Sequence, residues 1–228
     1  MTIFRFAIKR SFGNKTNVVF LLLLPIVCIF FPEGEDWPHL PYGYQYFGIV
    51  ILFAGIRLTS ILLEDRAKGV VKRLAVAPIS YAQYLGQNLL GFSVLLVMQC
   101  VIIVMGGVLV GHELYQPLWL LVLYTSFSFT AIAIALAWIS FCRSKDTAFL
   151  VYMSLIFLFV VLGGLMIPLD IFPALLKKIA LLFPTFWLAE GLNWVVFGVN
   201  LLDFLLINAV LWLYTLIFLI IGSIRKIH

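Results

Sequence analysis

Residues 64–80 read EDRAKGVVKRLAVAPIS, and they stand between two apolar runs, YQYFGIVILFAGIRLTSILL (44–63) and YLGQNLLGFSVLLVMQCVIIVMGGVLV (84–110). Seven of the first ten residues of that stretch are charged or glycine, in a 228-residue chain that is 64% hydrophobic and only 11% charged. A soluble domain is near half apolar and about a quarter charged, so here lipid is the solvent for most side chains. About 20 apolar residues carry a helix across the hydrocarbon core. The charged stretch is therefore a loop between two membrane spans, and the chain is an all-α integral membrane protein.

Working outward, the apolar runs 17–31, 44–63, 84–110, 118–142, 147–167 and 204–224 predict six transmembrane helices in one domain, 1–228. Pro25 in the middle of the first run predicts a kink. A secretory signal is the other reading of the N-terminus, but FPEGEDW (31–37) follows the run where a small-residue cleavage site belongs, which favours a retained span. Six spans put both termini on one side. That side then carries Arg5, Lys9, Arg10, Lys15, Arg66, Lys68, Lys72, Arg73, Arg143, Lys145, Arg225 and Lys226, against Lys177 and Lys178 opposite. The bias places both termini in the cytoplasm of a multi-pass protein of the cell membrane. It also explains the net charge of +5 as topology, with no nucleic-acid partner.

Two segments fall outside the simple spans. Residues 1–16 set Ile3, Phe6, Ala7 and Phe12 against Arg5, Lys9 and Arg10, the pattern of an amphipathic helix lying on membrane lipid at the cytoplasmic face. Residues 168–200 are apolar but interrupted by Pro168, Pro173, Pro184 and two glycines. Start signals at Pro173 and after Thr185 predict two helices of about 10–12 residues, too short to cross at 1.5 Å per residue. Such pieces dip into the membrane and return where protein buries their broken backbone. A seventh span over 179–199 is the alternative; it would bury Glu190 and move Arg225 and Lys226 outside.

The chain has no phosphate-cradling GxxxxGK[ST], no HExxH and no GxSxG. Cys28, Cys100 and Cys142 lack metal or redox spacing and read as small apolar residues. No Asp or Glu falls inside a predicted span, which weakens an ion-coupled carrier. Arg57 is the one charge within a span; it either snorkels to the interface or pairs with Glu64, two turns on. Gly107 and Gly111, and Ala131 to Ala137 in alternate positions, read as close helix packing. Within 64–80, Lys68, Lys72 and Arg73 alternate with Val70, Val71, Leu74 and Val76, a short helix with basic and apolar faces that stops before Pro78.

The run LLEDRAKGVVKRLAVAPISYAQYLGQNLL (62–90) resembles the ABC-2 type permeases of ATP-binding-cassette exporters in the order of Glu64, Gly69, Arg73, Leu74, Pro78 and Ser80. GGLMIPLDIFPALLKKIALLFPTFWLAEGL (163–192) is similar to that family's re-entrant region at Gly163, Gly164, Pro168, Pro173, Pro184 and Glu190, and FAIKRSFGNKTNVVFLLLLPIV (6–27) to its interface helix and first span. Val70 departs from the family, where Thr or Ser often follows the glycine. The resemblance implies a permease subunit with an interface helix (1–16), a coupling helix (64–79, with Glu64, Arg66, Lys68, Gly69, Lys72, Arg73, Leu74 and Pro78) and a re-entrant segment (168–200). It implies an ABC ATPase partner that binds ATP and Mg, with no cofactor on this chain, and a second permease copy forming a homodimer. An amphiphilic drug, peptide or lipid-like substrate is expected. A polar glycan or ion on the same fold, a secondary carrier or channel, and a membrane anchor or scaffold are the alternatives.

Overall fold

A computed structural model describes residues 2–33, 39–70, 81–142, 144–168 and 171–224, which form helices, turns and coil with no strand among them. In a medium without water every backbone group must be paired within the protein, and the apolar runs meet that demand as helices. In chain order these are α1 (Thr2–Gly13), α2 (Lys15–Ile29), α3 (Tyr42–Gln45), α4 (Phe47–Ala67) and α5 (Tyr81–Val110). Then follow α6 (Pro117–Phe141), α7 (Lys145–Leu162), α8 (Ala174–Ala180), α9 (Pro184–Phe197) and α10 (Leu201–Ile224). Four of them, α4, α5, α6 and α10, are long and apolar enough to cross a membrane; the number rises to six if the bent pairs α1–α2 and α8–α9 each count as one span.

Helix α6 is the centre, packed by α4, α5, α7, α9 and α10. Its Ala131, Ala133 and Ala135 are fully buried, because small residues let backbones approach where dispersion and hydrogen bonds must hold helices together in lipid. A Cβ on Gly55 of α4 would stand 3.3 Å from the Ala131 carbonyl oxygen. The Thr130 hydroxyl donates to the Leu211 carbonyl of α10 at 3.0 Å, and the Tyr124 hydroxyl to the Tyr44 carbonyl at 2.6 Å. Of the two expected packing glycines, Gly107 abuts the Tyr44 hydroxyl, whereas Gly111 ends α5 at φ 92° with no neighbour.

The first span departs from a simple kink. Residues Val19–Leu23 form a π-helical turn in which the Leu24 N–H reaches back to the Val19 carbonyl. Pro25 has no N–H to offer the Phe20 carbonyl in the same pattern. Gln99 of α5, fully buried, supplies the missing donor: its Nε2 lies 3.1 Å from that oxygen.

Three of the boundaries that differ from the sequence expectation shape the fold. Helix α1 stops at Gly13 and turns through 89° into α2, where the Asn14 side chain accepts from the Thr16 N–H at 3.0 Å. Helix α7 ends at Leu162 rather than 167, because Gly163 closes it and Gly164 takes φ 77°. The broken segment makes helices of 7 and 14 residues, the second opening on Pro184 itself, with a 96° bend between them. The Tyr214 hydroxyl, midway along α10, donates to Leu181 at that bend, while Trp194 stacks on Phe204 near the start of α10 at 4.5 Å. Helix α9, about 21 Å long, thus runs beside only the first half of α10.

Candidate functional site

The charged stretch begins on the last turn of α4. Lys68 and Gly69 donate back to the carbonyls of Glu64 and Arg66 at 2.9 and 3.1 Å, and Gly69 adopts φ 69°. A Cβ there would meet nothing within 4 Å among the described residues, and the left-handed conformation itself calls for glycine. The Glu64 carboxylate faces Lys68 one turn on at 3.8 Å. Arg66 donates to the Cys142 carbonyl at 3.4 Å, tying this helix end to the end of α6.

Asp65, between them, does something else. It lies on the stripe of Leu58, Ile61 and Leu62, all buried, and is itself 4% exposed. A carboxylate taken out of water costs several kcal/mol unless it is paired and hydrogen-bonded. Here Arg10 of α1 grips it bidentately, Nη1 to Oδ1 at 2.5 Å and Nη2 to Oδ2 at 2.9 Å, and the Tyr84 hydroxyl of α5 donates to Oδ2. Helix α1 is held in reach by Ala7, which packs on Gly91 so closely that a Cβ there would stand 3.1 Å away. Asn88 donates to the Tyr84 carbonyl at 2.8 Å. One carboxylate therefore joins the amphipathic helix to both helices that flank residues 71–80. Arg10 divides two clefts, an apolar one of about 280 Å³ beside Phe6 and Val70 and a polar one of about 610 Å³ beside Lys15 and Glu64.

The residues singled out in the sequence separate into three places. Glu64, Arg66, Lys68, Gly69 and Arg10 gather at this junction; Arg5 and Lys9 are exposed on α1. Lys72, Arg73, Leu74 and Pro78 lie outside the described residues. The apolar face of α1 divides: Ala7 is buried against α5, while Phe6 is 71% exposed. Arg57 sets its guanidinium over the Phe149 ring of α7 at 5.8 Å, and its Nε is buried with no hydrogen-bond partner among the described residues. The pair with Glu64 is not formed, because Glu64 has Lys68 nearer, at i+4. At the far end of α7, Gly163 meets Thr185, whose hydroxyl donates to the Phe159 carbonyl at 2.5 Å and fills the space of a Gly163 side chain, and Pro184 opens α9 beside it. Pro168 is coil, Pro173 precedes α8 and Glu190 is half-buried on α9.

Asp65 and Tyr84 are the residues that sequence reasoning passed over. The available signal was phase: Asp65 falls in register with the apolar stripe, and Glu64 does not. Among the described residues no group of three His, Cys, Asp or Glu side chains is placed to hold a metal ion.

Comparison with known proteins gives two matches. A family model described as ABC-2 family transporter protein matches residues 40–224. A Bacillus subtilis (strain 168) chain named as a candidate transport permease, YvfS, is 23% identical over 201 residues, covering 80% of this chain and 79% of that one.

Proposed function

This chain belongs to the ABC-2 family of transporter proteins, and we propose that it is the permease subunit of an exporter that moves an amphiphilic drug, peptide or lipid-like molecule out of the cytoplasm. Family membership makes it a multi-pass membrane subunit of a transporter whose ATPase is a separate ABC partner. In the proposed unit, two copies of this chain form a homodimer and the ATPase binds ATP and Mg. Each copy spans the membrane six times with both termini in the cytoplasm, α1 lies on the inner leaflet, and 168–200 is re-entrant. Residues 64–79 dock on the ATPase.

The observation that carries this reading is the Asp65 junction. A segment that receives a push from a partner must pass it to the spans on both sides, and the ends of α4 and α5 are here fastened to each other and to α1. The apolar and aromatic surface of the spans supports an amphiphilic cargo. The test is co-expression with the cognate ATPase and copurification. Lys72→Glu with Arg73→Glu is expected to abolish ATPase association while membrane insertion survives. Unchanged association removes the docking assignment, and export that proceeds without ATP hydrolysis by any partner overturns the exporter.

A further inference from the structure

The 610 Å³ cleft on the far side of Arg10 is bounded by Arg10, Lys15, Asn17, Ile61, Glu64 and Lys68. Asn17 is the unusual member. It is 1% exposed, yet neither its Nδ2 nor its Oδ1 has a hydrogen-bond partner among the described residues. Burying an amide without partners is unfavourable, and the residue forms part of the wall of a roomy cleft. Arg10 is matched by Asp65 and Lys68 faces Glu64, so among the described residues Lys15 supplies the net positive charge of that cleft. The polypeptide turns through 89° here, and on either side of the turn Phe6, Phe12, Val19 and Leu23 are exposed apolar side chains, the arrangement of a segment seated at a lipid surface. A ligand for this place needs an anionic oxygen for Lys15 and the Asn17 amide N–H, a hydroxyl for the Asn17 carbonyl oxygen, and a position at the membrane surface.

We propose that this cleft binds the phosphoglycerol headgroup of an anionic phospholipid of the inner leaflet, with Lys15 and the Asn17 amide on the phosphate and the Asn17 Oδ1 accepting from a headgroup hydroxyl. The site rests on the orientation proposed above but not on export. Bound lipid at this corner shares Arg10 with the Asp65 junction, so the headgroup braces the α1–α2 turn.

The full-length chain, purified in lipid-free detergent, is titrated with phosphatidylglycerol, phosphatidylcholine and inorganic phosphate while its thermal unfolding is followed. At tenfold the half-saturating concentration, phosphatidylglycerol is expected to raise Tm by about 3–6 °C, and phosphatidylcholine by less than a third of that. Lys15→Gln should reduce the shift at least severalfold. Asn17→Leu supplies the discriminating result: it removes two unpartnered polar atoms, so Tm in lipid-free detergent should hold or rise while the phosphatidylglycerol shift is lost. Equal shifts with the two lipids, or a full shift in Asn17→Leu, overturn the site. A shift reproduced by inorganic phosphate assigns it to free phosphate and overturns the lipid. No ATP is involved, so failure here leaves the permease reading intact, and failure of ATPase copurification leaves the lipid result readable.

Discussion

Replacing Arg10 by Gln should harm the protein more than replacing Asp65 by Asn, although both break the same ion pair. The Asp65 side chain is 5% exposed and that of Arg10 41%, so the two partners do not lose equally. Arg10→Gln leaves a buried carboxylate with the Tyr84 hydroxyl and one weaker amide donor. Removing one member of a fully buried pair costs roughly 3–5 kcal/mol; solvent screening on the arginine side brings the expectation to about 2–3 kcal/mol. Asp65→Asn leaves the guanidinium free to swing into water and keeps an acceptor for Tyr84, a cost of about 1 kcal/mol. The double variant sets one amide against another, with no buried charge, and should be more stable than Arg10→Gln alone. Thermal unfolding of the detergent-purified chain reads this directly. At about 2–4 °C per kcal/mol for a chain of this size, Arg10→Gln lowers Tm by roughly 4–12 °C and the added Asp65→Asn returns about half. Additive losses in the double variant, or equal losses in the two singles, would refute the claim that one buried carboxylate fastens α1 to α4 and α5.

Gln99→Leu exchanges one unpartnered oxygen, Gln99 Oε1, for another, the Phe20 carbonyl, so its stability change should stay within about 1 kcal/mol. In a Pro25→Ala background, where residue 25 again offers an N–H, the same Gln99→Leu change should stabilise by roughly 1–3 kcal/mol; no difference between backgrounds rejects the compensation. Gly69→Ala, at φ 69° with open space around it, should cost about 1–2 kcal/mol in unfolding assays, and Gly69→Asn clearly less; a tolerated alanine means that the helix end is not built as described. Arg57→Ala should lower ATP-driven export and Arg57→Lys preserve part of it, while unfolding shifts by no more than about 2 kcal/mol, the scale of a desolvated cation–π contact. Full export by the alanine variant removes any role for that cation.

The helices were legible because an apolar run in lipid must pair its backbone within the protein, and unbroken runs of this length do so as helices. What escaped is long-range. Asp65 and Arg10 are separated by 55 residues, and each has an adequate local explanation, one as part of a charged loop and the other as a topology signal. Nothing in the order of residues says that one acid of the pair Glu64–Asp65 turns inward; only its register with Leu58, Ile61 and Leu62 does. Of the two readings of Arg57, the pair with Glu64 is not formed, for a related reason. Spacing of seven puts both on one face, but about 10 Å apart along the axis, and Lys68 sits at the shorter i+4 interval. Pro25 did announce a disturbance in the first span, whereas its form, a π turn repaired by Gln99 from another helix, depends on a partner 79 residues away.

The distribution of contacts gives the proposed coupling a direction. Around residues 71–80, α1, α4 and α5 are joined by a bidentate ion pair, a tyrosine hydroxyl and the Ala7–Gly91 contact. Tilting α4 against α5 at this end means breaking the Tyr84–Asp65 hydrogen bond and, where α1 stays with α5, drawing the part-exposed Arg10 away from the buried Asp65 carboxylate, a penalty of about 2–3 kcal/mol. Along α4 and α6, by contrast, Gly55 meets Ala131 through small, apolar surfaces with no hydrogen bond between the two residues. A contact of that kind changes little in energy when two helices slide by a fraction of an ångström, because dispersion is spread over many weak pairs. A push delivered on 71–80 therefore reaches the ends of α1, α4 and α5 together, and shifting them past α6 also requires loosening the Arg66–Cys142 carbonyl and Cys100–Ser128 contacts. On the proposed reading, the Asp65 junction turns a local docking event into a joint movement of the ends of α1, α4 and α5, and loosening the junction should uncouple ATP hydrolysis from export without abolishing ATPase association.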